Sequence, residues 1–398
     1  MVSFRSNLPG RWLLLAAGLL LLSGCKGIKP EATAPLWRSV DSSFFQTFLY
    51  DSFVQHIDAQ GNTWQVVNNI ADGSVLRIVD AVGVEQSRLA LPAEARAMQL
   101  IGDDAIIMSS DCRLYRMDRH GMLVWQNDAL LGETACDLSA GNGNVVAFVR
   151  RSSGGYFLQP VSAAGEFSPP APLDAAVGAL GDPVLSVSAG GMVVTGSRGV
   201  MGLADDGSVL WHYTPPLAAS DSLTCSAADT HGLVCAHPSP AWYKNSVMEW
   251  ISMDGAVLRS ESIPLSDIDS IQSTGDGRVL FSTVQFPVPA TLPLIVMLYG
   301  ADYLNYSTTR LHVIDEAGTL ATPVVLPPRE YVVVPQMSMS HILPLGYDWV
   351  LTREPAEQLV QARIVADQIL VAGYVDQSEG ELFLRYRRNL AAAYALTH

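Results

Sequence analysis

The sequence predicts an all-β protein, a β-propeller built of four-stranded blades. Three features predict it: a recurring hairpin turn, regular spacing between its copies, and short apolar runs bounded by turn residues. In the turn, a first strand ends in Asp, two residues follow, and Gly opens a second apolar strand. Asp118 with Gly121, Asp315 with Gly318, Asp80 with Gly83 and Asp58 with Gly61 all show it. Asp suits the first position because its carboxylate accepts local backbone N–H bonds, and Gly suits the fourth, where φ is positive. Looser copies carry Ser162 or Ala204 in the Asp position, before Gly165 and Gly207, and another runs through Asp254 and Gly255. Turns of this kind join antiparallel strands.

The spacing comes next. Gly83, Gly121, Gly165, Gly207, Gly255 and Gly318 lie 38, 44, 42, 48 and 63 residues apart. A period near 40–48 is that of repeats of four short strands. One unit reads as strands over 53–57, 63–68, 74–79 and 84–91. The next reads as 97–101, 105–108, 113–117 and 122–126, and a terminal unit includes 368–374 and 381–386. Seven blades are favoured. Eight is the alternative count, because 328–398 is long for one blade, and a pair of β-sandwiches is the competing architecture. Residues 44–50 are expected to close the ring against the C-terminus.

The best copy of the repeat, LYRMDRHGMLVW from Leu114 to Trp125, resembles the pyrroloquinoline-quinone-type propeller repeat. Trp125 and Trp211 both stand four residues after their turn Gly. The match is degenerate, since the Thr that precedes Gly in that repeat is absent from every copy. Enzymes with this repeat use adjacent cysteines and a calcium site. No Cys-Cys pair occurs here, so the resemblance implies architecture and not oxidoreductase chemistry.

The N-terminus carries a different signal. Arg5 and Arg11 precede an apolar run from Trp12 to Leu22. Eleven residues cannot span a bilayer, where a helix needs about 20. A basic start, a short apolar core and small residues at the cleavage point describe a secretory signal. Leu22-Ser23-Gly24-Cys25 resembles the bacterial lipobox, which implies cleavage before Cys25 and lipid on its thiol. With Lys26 and not Asp after the cysteine, the lipoprotein resemblance implies the outer membrane, periplasmic face. The expected organisation is therefore a signal peptide over 1–24, a lipidated tether over 25–35 and the propeller over 36–398.

Without the signal, 22 basic and 39 acidic residues remain, counting from 24 and 39 and removing Arg5 and Arg11. Nucleic acid is excluded as a partner for so acidic a chain. Four cysteines follow Cys25. Residues 224–235 read as a hairpin centred on Thr230, which sets Cys225 opposite Cys235, within disulfide reach. Cys112 with Cys136 follows by elimination. Four free thiols are the alternative, and no paired CxxC spacing supports a metal.

No catalytic or cofactor motif is present. The Gly-rich stretch 195–199 reads as a strand connection, and His231 and His237 as turn and loop residues. The departures from the repeat are more informative. Two neighbouring units lengthen the connection between their second and third strands. One inserts 238–245, with Trp242 and Tyr243. The other inserts 286–309, with Leu294, Ile295, Leu298, Tyr299, Tyr303 and Tyr306. Corresponding connections emerge on one face, and repeat proteins concentrate binding in such insertions. Aromatic and aliphatic anchors suit the centre of a protein interface; loops that plug the central channel or pack on each other are the alternative. The expected function is a non-enzymatic, membrane-anchored scaffold for a periplasmic or outer-membrane protein. In plan it resembles the propeller lipoproteins of the outer-membrane β-barrel assembly machinery. An enzyme or glycan-binding protein with a site at the propeller mouth is the alternative.

Overall fold

A computed structural model describes residues 31–396, except 43–44, 49–53, 70–72, 121, 128–134, 142–143, 151–154, 189, 217–221, 228, 230, 239–244, 266–267, 275–276, 286–302, 337–345, 352–355 and 378–383. Two compact units are present. The larger comprises Ala32–Gln285, Thr309–Pro327 and Glu354–His398. It is a seven-bladed propeller whose strands pair antiparallel within each blade. Blade 1 consists of Val54–Ile57, Thr63–Asn69, Gly73–Val79 and Glu85–Ala90. Blades 2 to 5 cover 95–127, 135–172, 184–213 and 224–263, and blade 6 combines 268–285 with 309–325. Blade 7 takes Ala356–Val365, Gln368–Gln377 and Leu384–Ala395 from the C-terminus and Trp37–Val40 from the N-terminus.

The turns form as the residue types require. In blade 1, Asp80 Oδ1 accepts Val82 N at 3.0 Å and Val84 N at 2.8 Å. Gly83, at φ 89, donates its N–H to Asp80 O at 3.0 Å. Asp118 Oδ1 likewise accepts His120 N at 2.9 Å and Met122 N at 2.8 Å. The pairing shifts by a residue beside the turn, between Ile78 and Val79 in blade 1 and between Leu123 and Trp125 in blade 2. That is the bulge a three-residue hairpin loop produces.

The middle strands are apolar on both faces because each blade packs against two neighbours. Ala105 and Ile107 belong to the cluster shared with blade 1, while Ile106 and Met108 belong to the one shared with blade 3. Val146 and Val145, Val193 and Val194, Val234 and Cys235, and Leu280 and Phe281 divide in the same way. The result is one core cluster at every seam. At the seam between blades 7 and 1 it comprises, among the described residues, Ile57, Leu370, Ala372 and Ala393. It is supplemented by buried polar groups. Arg77 donates to Gln65 Oε1 at 3.0 Å and Ser39 Oγ at 2.9 Å and pairs with Glu85 at 2.8 Å. Arg88 pairs with the fully buried Asp41 at 2.7 Å.

Ring closure uses two N-terminal strands. Trp37–Val40 lies along Leu390–Ala393, and Phe45–Phe48, inside the segment expected to close the ring, pairs with Leu384–Arg387. The outer strand of blade 7 therefore begins before the expected segment. Its sequence, WRSV, holds two apolar residues in four, too few to register as an apolar run.

The smaller unit comprises Met1–Glu31, Phe286–Thr308 and Pro328–Arg353. Its backbone shows a three-stranded antiparallel sheet. Tyr303 to Ser307 pair with Arg329–Gln336, which pairs in turn with Gly346–Leu351. Two expectations are corrected here. The stretch from Tyr303 is part of a twelve-residue strand, Tyr303–Ile314, and not loop. The length of 328–398 reflects this hairpin and not an eighth blade, since its strands pair with the insertion.

Candidate interaction surfaces

Within the propeller, antiparallel order sorts the connections onto two faces. Turns joining first to second and third to fourth strands emerge on one, here the hairpin face. Turns joining second to third strands, and blade to blade, emerge on the other, the crossover face. All the Asp-x-x-Gly turns lie on the hairpin face. The 195–199 stretch is a tight turn on the crossover face, between Gly191–Gly196 and Gly199–Leu203.

Trp242, Tyr243, Leu294, Ile295, Leu298 and Tyr299 lie outside the described residues. Tyr303 and Tyr306 are placed in their strand by backbone pairing, and their side chains are likewise outside it. Cys25 lies outside as well. Cys225 and Cys235 face each other in register and form a disulfide, with Cα atoms 4.0 Å apart. Cys112 is disulfide-bonded and buried. Its expected partner, Cys136, is placed in Ala135–Gly141 by its backbone, and its side chain is outside the described residues.

The two histidines beside Cys235 are at opposite ends of Leu233–Pro238. His231 is in the hairpin-face turn, where its N–H donates to Asp229 Oδ1 at 2.7 Å. His237 is a buried strand residue and not a loop residue. Its Nδ1 lies 3.0 Å from Pro238 O and its Nε2 3.6 Å from Glu249 Oε2. Tyr213 donates to the same carboxylate from blade 4. Burial raises the Glu249 carboxyl above the usual range, opposed by a hydrogen bond from Ser260. Among the described residues, no group of three or more His, Cys, Asp or Glu could hold a metal ion.

The innermost strands stitch blade to blade, which sequence reasoning did not find. In blade 7, Gln361 and Arg363 clamp both polar groups of Ile57. Ile57 N donates to Gln361 Oε1 at 2.8 Å, and Arg363 Nη1 donates to Ile57 O at 2.7 Å. Gln99 of blade 2 donates to Leu138 O of blade 3 at 3.0 Å. Ser139 accepts Val187 N of blade 4 at 2.9 Å, and Ser188 donates to Asp229 O of blade 5 at 3.0 Å. These strands have no strand partner toward the axis, so side chains satisfy backbone groups that a sheet would otherwise pair. The signal was present as Gln and Ser in first strands, but polar residues there read equally as solvent-facing.

The hairpin face also carries grooves between blades. Asp58, Trp64, Ser87, Arg119 and His120 line a cavity of about 500 Å³ between blades 1 and 2. Others of about 470 and 400 Å³ lie between blades 3 and 4 and between blades 5 and 6. Near the axis, His56, Gln99, Asp103 and Arg363 line one of about 370 Å³. Burial is the main cause holding His56 down to about 4, opposed by a hydrogen bond to the Met98 backbone and reinforced by the Arg363 charge.

The fold and its faces define a seven-bladed propeller with grooved seams. No protein-family model and no curated protein matches the chain. Among solved structures, a chain of a mitotic checkpoint complex is similar at a TM-score of 0.53 and 10% identity, over 94% of this chain and 99% of that one. BamB from Moraxella catarrhalis is similar at 0.40 and 13%, over 94% of each chain. The Dos1 propeller is similar at 0.46 and 11%, over 91% of this chain and 96% of that one. At such identities the likeness is one of fold alone, and at 0.40 and 0.46 it carries no further weight.

Proposed function

We propose that the chain is a non-enzymatic propeller scaffold, lipid-anchored through Cys25 at the periplasmic face of the outer membrane, that captures a protein partner through its insertions. The lipobox-like Leu22–Cys25 and the short apolar core before it support the anchor. Among the described residues, no helix is long and apolar enough to cross a membrane. The observation that carries the scaffold reading is the smaller unit. The chain leaves the ring twice, at Phe286–Thr308 and Pro328–Arg353. The ring completes its seven blades without these excursions. A segment with Leu294, Ile295, Leu298 and Tyr299 that the ring does not require is suited to a partner. The similar chain in the mitotic checkpoint complex is itself part of an assembly, which agrees with this use of the fold.

The test replaces residues 294–299 with a Gly/Ser linker. Hot-spot truncations typically cost about 2 kcal/mol or more, roughly thirtyfold in affinity. The thermal transition should stay nearly unchanged while capture of crosslinked envelope partners is lost. A variant that fails to fold makes the segment structural and removes the proposal. For the anchor, Cys25→Ser should abolish metabolic palmitate labelling.

A further inference from the structure

An indole closes three seams of the ring. Trp125 of blade 2 lies on the turn glycine of blade 3, where a Cβ on Gly165 would come within 2.7 Å of its ring. Trp211 of blade 4 lies in the same way on Gly255 of blade 5, and Trp37 of blade 7 on Gly83 of blade 1, each at 2.7 Å. In two of these the indole N–H donates to the carbonyl of the second turn residue. Trp125 reaches Ala163 O at 2.9 Å and Trp211 reaches Met253 O at 2.7 Å.

Two other seams fill the place with different groups. Arg259 of blade 5 donates to Glu316 O, the second turn residue of blade 6, at 2.5 Å. Pro172 O and Leu173 cover Gly207 at the seam of blades 3 and 4, 2.8 and 3.0 Å from where its Cβ would be.

The seam between blades 1 and 2 has no indole at the corresponding position of its outer strand. Four residues after Gly83, where blades 2 and 4 carry Trp, blade 1 carries Ser87. The cavity of about 500 Å³ is lined by Ser87, Trp64 and Ile78 and by Arg119 and His120, the second and third residues of the Asp118–Gly121 turn. The Ser87 hydroxyl is buried and has no hydrogen-bond partner. The small side chain at position 87 leaves open the place that an indole fills in blades 2 and 4.

We propose that this groove receives an aromatic side chain, tryptophan by preference, from a protein partner, with its N–H donated to Arg119 O as Trp125 donates to Ala163 O. Asp58, Asp80 and Asp103 also line the groove. One of them, Asp103, faces Arg119 at 3.7 Å. The rim thus carries surplus negative charge and suits basic residues beside the aromatic one. The site lies on the hairpin face and does not depend on the insertions.

The experiment measures saturation-transfer NMR on the full mature chain with free indole, Lys-Trp-Lys and Lys-Ala-Lys as probes. Wild type should transfer to indole and to the Trp peptide and not to the Ala peptide. Ser87→Trp should supply its own indole, raise the thermal midpoint and abolish transfer to both aromatic probes. Ser87→Leu fills part of the cavity and should weaken the transfer at least tenfold. The proposal is overturned if wild type shows no transfer to millimolar indole, or if folded Ser87→Leu binds as wild type does. A Ser87→Trp chain less stable than wild type overturns it too, because the seam then rejects the group it is proposed to hold.

Discussion

At Ala204 the acidic residue of the hairpin turn is missing, yet the turn forms. Gly207 at φ 83 still donates to Ala204 O at 2.9 Å. At Ser162 a hydroxyl replaces the carboxylate and accepts Glu166 N at 3.1 Å. The glycine is therefore the indispensable member, since positive φ is costly for any residue with a Cβ, while the side-chain acceptor adds to a turn already made. Buried titratable residues set another property at this scale. His312 is buried, bonded to Thr283 Oγ1 at 3.0 Å and stacked on Phe281. Burial, with the Arg310 charge, lowers its pKa from 6.5 to about 4. The folded state then binds fewer protons than the unfolded chain between those values, so stability is retained above pH 6.5 and declines as pH falls toward 4. His312→Gln should flatten the urea-midpoint profile across that window. An unchanged slope would assign the acid sensitivity to other groups.

Among the elements, the hairpin Thr224–Cys225 to Leu233–Pro238 is the case where one bond supplements a very short strand. Its first strand is two residues long, too short to hold a register by backbone pairing. The disulfide holds Cys225 opposite Cys235 across a separation of ten residues. A loop of that size gains about 2–3 kcal/mol by chain entropy. Cys225→Ala with Cys235→Ala should lower stability by about that amount and leave a folded propeller. Hydrogen exchange should rise locally at 224–225 and 233–236. A global loss of structure would mean that blade 5 cannot form without the bridge.

For the molecule as a whole, the weak point is the seam that joins the two ends of the chain. Among the described residues its apolar cluster is Ile57, Leu370, Ala372 and Ala393, and Asp41, Arg77, Gln55, Gln65 and Asn389 are all buried. Two of these polar groups anchor the N-terminal segment to blade 1. Arg77 reaches Ser39, and Asp41 is held by Arg88. Asp41 is the buried member of its pair, while Arg88 is about a third exposed and keeps Glu85 as a partner, so removing Asp41 costs the charged hydrogen bond, about 1.5–3 kcal/mol. Asp41→Ala should fall in that range and first expose Trp37–Val40 and its partners Leu390–Ala393 to exchange. If protection at those strands persists while another seam opens, ring closure does not depend on this network.

Much of the ring was legible in the sequence, and the reason is local. Turn chemistry depends on a few adjacent residues, so Asp80, Gly83, Asp118, Gly121 and their copies marked six blades directly. Strand bounds in blades 1 and 2 followed to within two residues, because apolar runs end where the turns begin. The long crossover connections were legible as interruptions of that period. Tertiary structure decided the rest. Which strands pair with Tyr303–Ser307 depends on residues 329–336 and 346–351, distant in sequence, and no local pattern shows that they fold back onto the insertion. Trp125 and Trp211 were visible as repeats, but their purpose required the next blade's glycine to be seen beneath the indole. The significance of Ser87 is further from local reading still. A serine in an edge strand is unremarkable by itself, and it acquires meaning when five other seams show what ordinarily fills its place.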